Sequence, residues 1–296
     1  MNTNRSPLPA PGAPPHWRTV LSIFKLRIGF LIMLTALAIS PAPAPALWQI
    51  AVMAIAVLIS SASAGAFNQF IEADSDRLMK RTRERAFASG ELRAGPAWLG
   101  LIAGLLAFAV AATWLALNGA AALYLFLGAF TYAVVYTVGL KRRSWLNIVF
   151  GGLAGSFAVL TGAAAADPAL GAQPLLLALV LFLWTPPHFW SLAIANTDDY
   201  VAAGIPMLPV VVGIPRAARI VHANTLVLVL ASLLPGAFGA GPIYLAAAVI
   251  GGAWFLQHTH ALARTPERST AMSAFFASMV QLAVLIAGVA LDTLVR

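Results

Sequence analysis

The sequence predicts an all-α, polytopic membrane bundle of nine transmembrane helices with a cytoplasmic N-terminus. Three observations carry that expectation. Of the 296 residues, 60% are hydrophobic and only 9% are charged, where a soluble domain carries about 25% charged residues. Nine apolar stretches approach the ~20 residues that a helix needs to cross the bilayer, about twice the length of a barrel strand. Finally, the basic residues alternate sides as the stretches are counted off.

The spans lie near residues 22–41, 47–71, 97–117, 120–139, 147–166, 173–196, 216–235, 241–260 and 271–291. With the N-terminus inside, the inner segments are 1–27, 72–96, 140–146, 197–219 and 261–270. They hold 17 of the 18 Lys and Arg residues, leaving Arg296 outside, and the outer connections have none. One span too many or too few would scramble this pattern, so it supports both count and orientation. Residues 1–20, rich in Pro and lacking an apolar core, read as a disordered cytoplasmic tail and not a signal peptide. The Pro-Ala run at 41–46 stops the first span and suits a short external turn. Residues 21–296 form one domain. With no cysteine, disulfides, thiolate metal sites and a cysteine nucleophile are excluded. The pI near 10.6 reflects topology here and does not imply nucleic acid.

The second span ends in Asn68-Gln-Phe-Ile-Glu72-Ala-Asp74-Ser-Asp76. Asn68, Glu72 and Asp76, spaced i, i+4, i+8, stack along one side of a continuing helix, while Asp74 projects away. At a membrane boundary such a cluster is costly unless it holds a cation or lines a polar cavity. Arg77, Lys80, Arg81, Arg83 and Arg85 follow at once. Oxygen ligands beside basic side chains suit a divalent cation together with a phosphate-bearing substrate. The plainer reading is an ion-pair ladder, since Asp76 and Lys80 are i, i+4 partners.

A second polar concentration closes the sixth span, in Trp184-Thr-Pro-Pro187-His188-Phe-Trp190 and then Asn196-Thr-Asp198-Asp199-Tyr200. It emerges on the same predicted side as the first. Asp198 and Asp199 alone could be ordinary loop carboxylates. Two acidic helix ends around one cavity can instead bind a diphosphate through magnesium, because the metal reverses the repulsion between carboxylates and phosphates. Lys80, Arg81 and Arg85 are the first choice as phosphate contacts, followed by Lys141, Arg142 and Arg143 at the end of the fourth span. Arg216, Arg219, Arg264 and Arg268 read as orientation signals. The Gly151-Gly152 and Gly155 group reads as a close helix contact.

These motifs resemble the protohaem IX farnesyltransferases, the haem-modifying branch of the UbiA-type intramembrane prenyltransferases. The likeness rests on Asn68 to Thr82, on Leu140-Lys141-Arg142-Arg143 with Asn147 to Gly152, and on Trp184 to Trp190. It continues through Asp198-Asp199-Tyr200 and Gly204 to Val210. The second motif has fewer carboxylates than in many superfamily members, a feature shared by the haem-modifying branch.

The resemblance implies transfer of farnesyl from farnesyl diphosphate to a vinyl group of haem b, giving haem O, at the cytoplasmic face of a bacterial inner membrane. It implies Mg²⁺ as cofactor on Asn68, Glu72, Asp76, Asp198 and Asp199. The diphosphate would meet Lys80, Arg81, Arg85, Lys141 and Arg142. The partners implied are membrane lipids and a haem-handling or oxidase-assembly protein. His188 lies eleven residues before Asp199, a rotation of about 20° and a rise of roughly 16 Å on an ideal helix. It can ligate haem iron, bond a propionate, or satisfy a carbonyl freed by Pro186 and Pro187, which are expected to bend the helix. Trp184 and Trp190 flank it as candidates to bracket the macrocycle, and His222 is a secondary candidate. A related enzyme acting on a quinone precursor is the nearest alternative, and a transporter of an anionic or lipid substrate is the alternative of another class.

Overall fold

The computed structural model describes residues 17–38 and 45–295, and every regular element among them is helical. In chain order these are α1 (Trp17–Ile23), α2 (Leu26–Ala38), α3 (Leu47–Ile71), α4 (Ala73–Leu78), α5 (Ala86–Ser89) and α6 (Pro96–Ala116). Then come α7 (Gly119–Phe130), which continues as a π-helix over Thr131–Leu140, α8 (Asn147–Gly151), α9 (Leu153–Ala166) and α10 (Ala172–Ala195). The chain closes with α11 (Thr197–Ala202), α12 (Leu208–Val212), α13 (Ile214–Ala231), α14 (Leu234–Ala237), α15 (Pro242–Arg264) and α16 (Arg268–Val295).

Seven of the described helical segments are long and apolar enough to cross a bilayer, and α1 with α2, bent by 47° at their junction, makes an eighth. Helix α15 stands where the eighth span was expected and has 23 residues. Gln257, His258 and His260 in its last third keep its hydropathy below that of the others. Neighbours pack in a ring: α2 on α3, then α6, α7, α9, α10, α13, α15 and α16, which returns to α2.

Inside a membrane there is no water-driven attraction between apolar helices, so close backbone packing does much of the work. Small residues allow it. The buried face of α3 includes Ser60, Ala62, Ser63, Ala64, Gly65 and Ala66. At the α2–α9 crossing a Cβ on Gly162 would lie 1.9 Å from the Ala36 carbonyl oxygen. Only glycine fits there.

The elements depart from the sequence expectation in three places. Helix α1 begins at Trp17, inside the stretch expected as tail, while residues 1–16 lie outside the described residues, as do 41–44 of the expected external turn. The first span is broken at Lys25, whose φ is 47°. The fourth span is π-helical over its last ten residues. Helix α10 includes Pro186 and Pro187 within one helical segment.

Gly162→Ala should cost about 1–3 kcal/mol and lower the melting temperature in lipid nanodiscs. Gly171→Ala, where a Cβ would meet nothing within 4 Å, should melt like the parent. Equal melting of both variants would rule out the close α2–α9 approach.

Candidate active site

Helix α3 ends at Ile71, and Glu72, at φ −93° and ψ 5°, links it to α4. The hydrogen-bond register survives the joint. Glu72 N–H reaches the Asn68 carbonyl at 3.0 Å, and Asp76 N–H reaches that of Glu72 at 2.8 Å. Asn68, Glu72 and Asp76 are therefore brought together, each 2% exposed. Asp74 points outward to Arg77 at 3.3 Å with 88% of its side chain exposed.

Each buried oxygen meets a cation. Asn68 Oδ1 accepts from Lys25 Nζ at 2.7 Å, Glu72 Oε2 from Lys141 Nζ at 2.5 Å, and Asp76 Oδ2 from Arg85 Nη1 at 2.8 Å. The ladder from Asp76 to Lys80 does not form. Helix α4 stops at Leu78, and Met79 turns to an extended conformation, so Lys80 is no longer one turn above Asp76. Lys80 is exposed and has no ion pair among the described residues. Arg142 donates to Ser75 Oγ at 2.9 Å. Burial pushes the Lys141 amine below its ordinary pKa, and the Glu72 carboxylate opposes that shift.

The π-helix supplies the opposite wall. Its wider turn is seen in Lys141 N–H donating to the Tyr136 carbonyl, five residues back, at 2.9 Å, and such segments are frequent at functional sites. Tyr132 and Tyr136 stack with centroids 5.7 Å apart. Lys25 Nζ also donates to the Tyr132 hydroxyl at 3.2 Å. Thr137 Oγ1 accepts from Asn68 Nδ2 at 3.1 Å and donates to the Tyr132 carbonyl at 2.8 Å. Gly151 leaves room for the ring, since a Cβ there would lie 2.9 Å from Tyr136 Cδ2.

Sequence reasoning missed Lys25, Tyr132, Tyr136 and Thr137. For Lys25 the available signal was a lysine bordering an apolar run, but it was absorbed into the topological charge count.

The second motif lies beside the first. Helix α10 ends at Asn196 and α11 carries Asp198, exposed, and Asp199, half-buried. Neither carboxylate is hydrogen-bonded or ion-paired among the described residues. Buried Tyr200 lies in the field of Arg81, Glu72 and Arg85. Burial raises its phenol pKa, while Arg81 pulls it down. Tyr200, Met79, Ile148 and Trp190 share one apolar cluster. Arg268, expected only to orient the chain, donates to the Ala195 carbonyl at 3.3 Å and caps α10.

Among the described residues no group of three His, Cys, Asp or Glu side chains could hold a metal by itself. The donors do fit magnesium in another way. They are hard oxygens, and Glu72 and Asp76 each spend one oxygen on a cation, leaving the other for a ligand. Magnesium is commonly bound by one or two carboxylates plus substrate phosphates, not by a closed protein cage.

Deeper along α10, His188 is buried between Trp184, stacked at 4.2 Å, and Phe275 of α16, stacked at 4.5 Å, with Phe189 edge-on at 4.8 Å. Trp184 Nε1 donates to the Ser278 carbonyl at 2.9 Å. Trp190 does not join this group: two residues beyond His188, it faces the other side and packs on Trp145 at 6.4 Å. His222 bonds Thr259 at 3.1 Å, on the α13–α15 side. A small apolar cavity of about 20 Å³ lies between α2, α9, α10 and α16, lined in part by Thr35, Val159, Leu181, Leu282 and Leu285.

The sequence pattern of the UbiA prenyltransferase family matches residues 29–280. The chain belongs to the UbiA prenyltransferase family.

Within the family it groups with the protohaem IX farnesyltransferases. It is 55% identical to protoheme IX farnesyltransferase 2 of Paramagnetospirillum magneticum, over 94% of this chain and 97% of that one. It is 38% identical to the protoheme IX farnesyltransferase of Methylococcus capsulatus, covering 95% of each. A solved digeranylgeranylglyceryl phosphate synthase shares the fold with TM-score 0.78 at 16% identity, over 95% of this chain and 99% of that one. A UbiA homolog from Archaeoglobus fulgidus, solved with DMAPP and Mg²⁺, shares it with TM-score 0.67 at 17% identity, over 91% and 98%.

The cation pairing of this UbiA-family cluster has a measurable consequence. Lys141→Met strands a buried carboxylate, for which about 3–5 kcal/mol of lost stability is expected. The double variant Lys141→Met with Glu72→Gln should recover most of it. Arg77→Ala, removing an exposed pair, should change stability by less than about 1 kcal/mol. Thermal unfolding in nanodiscs checks the order, and a Lys141→Met variant as stable as Arg77→Ala would contradict the pairing.

Proposed function

We propose that this chain transfers a farnesyl group from farnesyl diphosphate to a vinyl group of haem b, with addition of water, to form haem O. The observation that carries the reading is the buried Asn68, Glu72 and Asp76 face, matched by cations and adjoined by the Tyr200 end of the second motif. Relatives 55% and 38% identical and named protoheme IX farnesyltransferase support haem as acceptor over a quinone precursor. The mechanism also takes the protein to have nine spans, an inner-membrane location and a cytoplasmic site, supported by 17 of 18 basic residues falling in the inner segments.

Asn68, Glu72 and Asp76 would hold magnesium together with Asp199, and Asp198 stands beside it. When bound, magnesium offsets the charge of the diphosphate and stabilises it as a leaving group. Lys141 and Arg85 lie on the protein's own carboxylates and Lys25 on the Asn68 amide oxygen, and on donor binding they would turn to phosphate oxygens, with Arg81 from the Tyr200 side. Arg142 and Lys80 extend the positive rim. The isoprenoid chain would lie among the apolar side chains of the bundle, which keep water away from the allylic carbon. The faces of Tyr132 and Tyr136 offer π density to the allylic cation.

The vinyl terminal carbon forms the new C–C bond as the C–O bond to diphosphate breaks. Water adds to the resulting cation beside the porphyrin ring and loses a proton. His188 and Trp184 would hold the macrocycle, and Trp190 supports α10 from behind.

Purified protein given haem b, farnesyl diphosphate and magnesium should yield a haem heavier by one farnesyl and one hydroxyl, read by mass spectrometry. Haem should stimulate consumption of the donor, and 4-hydroxybenzoate should not. The reverse preference would overturn the acceptor assignment. Glu72→Gln and Asp199→Asn should each lower turnover about a hundredfold or more with membrane insertion intact. Arg264→Ala, whose guanidinium bonds exposed His260, should retain it. Near-normal turnover in both acidic variants would refute the magnesium assignment.

A further inference from the structure

His188 is fixed by more than packing. Rings stack on it at 4.2 and 4.5 Å, too close for both to share one face, so the imidazole is sandwiched and offers only its edge. Its one hydrogen bond among the described residues runs from Nδ1 to Ser278 Oγ at 2.7 Å.

Ser278 Oγ is also 2.6 Å from the Phe275 carbonyl oxygen. A hydroxyl carries one proton. If that proton pointed to Nδ1, two oxygen lone pairs would confront each other at 2.6 Å in a buried site. The arrangement that satisfies every atom is a relay: Nδ1–H donates to Ser278 Oγ, and Ser278 O–H donates to the Phe275 carbonyl. Nε2 is then left bearing a lone pair.

We infer that Ser278 is a positioning residue that locks His188 in the Nδ1–H tautomer, so that Nε2 ligates the iron of the haem acceptor. This rests on haem b as acceptor. The chemistry is that of metal-binding histidines generally, in which a hydrogen bond at one ring nitrogen sets the tautomer and raises the basicity of the other. The Ser278 carbonyl meanwhile holds Trp184 Nε1 at 2.9 Å. One residue of α16 thus orients both the ligand and the ring stacked on it. Coordination adds a dative N–Fe bond and requires no proton transfer, because the lone pair is already free.

Resonance Raman spectroscopy of the ferrous haem b complex in nanodiscs tests this, with haem O formation scored separately by mass. The wild type should show an iron–imidazole stretch, and His188→Gly should lose it and regain it with added imidazole. Ser278→Ala should shift the stretch to lower frequency and weaken haem binding about tenfold. It should raise the KM for haem but not for farnesyl diphosphate, and Ser278→Thr, which keeps the hydroxyl, should restore all three. An iron–imidazole stretch that survives in His188→Gly, or is missing from a wild type that makes haem O, overturns the inference while the function stands. So does a Ser278→Ala variant with unchanged frequency and affinity. A protein that binds haem yet makes no haem O from it overturns the function instead.

Discussion

Glu72 carries a carboxylate to 2% exposure at the end of an apolar helix, with Asp76 one turn on at the same burial. An isolated charge there would cost several kcal/mol and would take up a proton instead. The rest of the site is arranged around preventing that. The compensating cations come from two places, Arg85 beyond α4 and Lys141 at the end of the π-helix, while Lys25, at the break between α1 and α2, bonds the Asn68 oxygen beside them. Charge balance therefore ties the end of α3 to the end of the π-helix, 69 residues on. In the proposed reaction a ligand that brings both anionic oxygens and a metal would satisfy both sides at once.

The irregular backbone is concentrated at these same points. Lys25 has φ 47°, a left-handed conformation that costs a non-glycine residue about 1–2 kcal/mol. Glu72 sits between two helices, and Tyr132 to Lys141 follow π geometry. Each departure places a side chain of the candidate site. The break turns Lys25 toward Asn68, the joint keeps Glu72 facing Lys141, and the π turns bring Tyr132, Tyr136 and Lys141 to one wall. Strain of this kind persists where the surroundings over-determine it, and function is one reason for them to do so.

The long elements were legible in the sequence because membrane crossing demands length and apolarity, which composition states directly. The Asn68, Glu72 and Asp76 face was legible because helical spacing is a simple rule and charges at a membrane edge have few uses. Lys25 was hidden because one positive charge near a span end has a sufficient topological explanation. Tyr132 and Tyr136 were hidden because an almost uniformly apolar helix has no periodicity to betray a change from α to π. The choice of Arg85 over Lys80 depended on where α4 stops, and boundaries are what sequence signals place least well. Trp190 was readable from geometry alone: two residues from His188 on a helix is about 200° around, whereas Trp184, four residues away, is nearly in line.

Helix α16 gives the last step of the argument. It touches α10 at two depths, through Arg268 on the Ala195 carbonyl and through Ser278 on Trp184 and His188. The first contact fixes where α10 ends, and so where Asp199 and Tyr200 meet the first motif. The second fixes a clamped imidazole further into the membrane. In the proposed reaction, an acceptor held at the deeper point and a diphosphate held at the shallower one must be set at a constant separation, so that the allylic carbon leaving the diphosphate meets the vinyl carbon. One continuous helix gripping both points supplies that constancy, and loops at the membrane surface could not. On this view the reach between donor and acceptor is a property of the α10–α16 contact, not of either binding cluster alone.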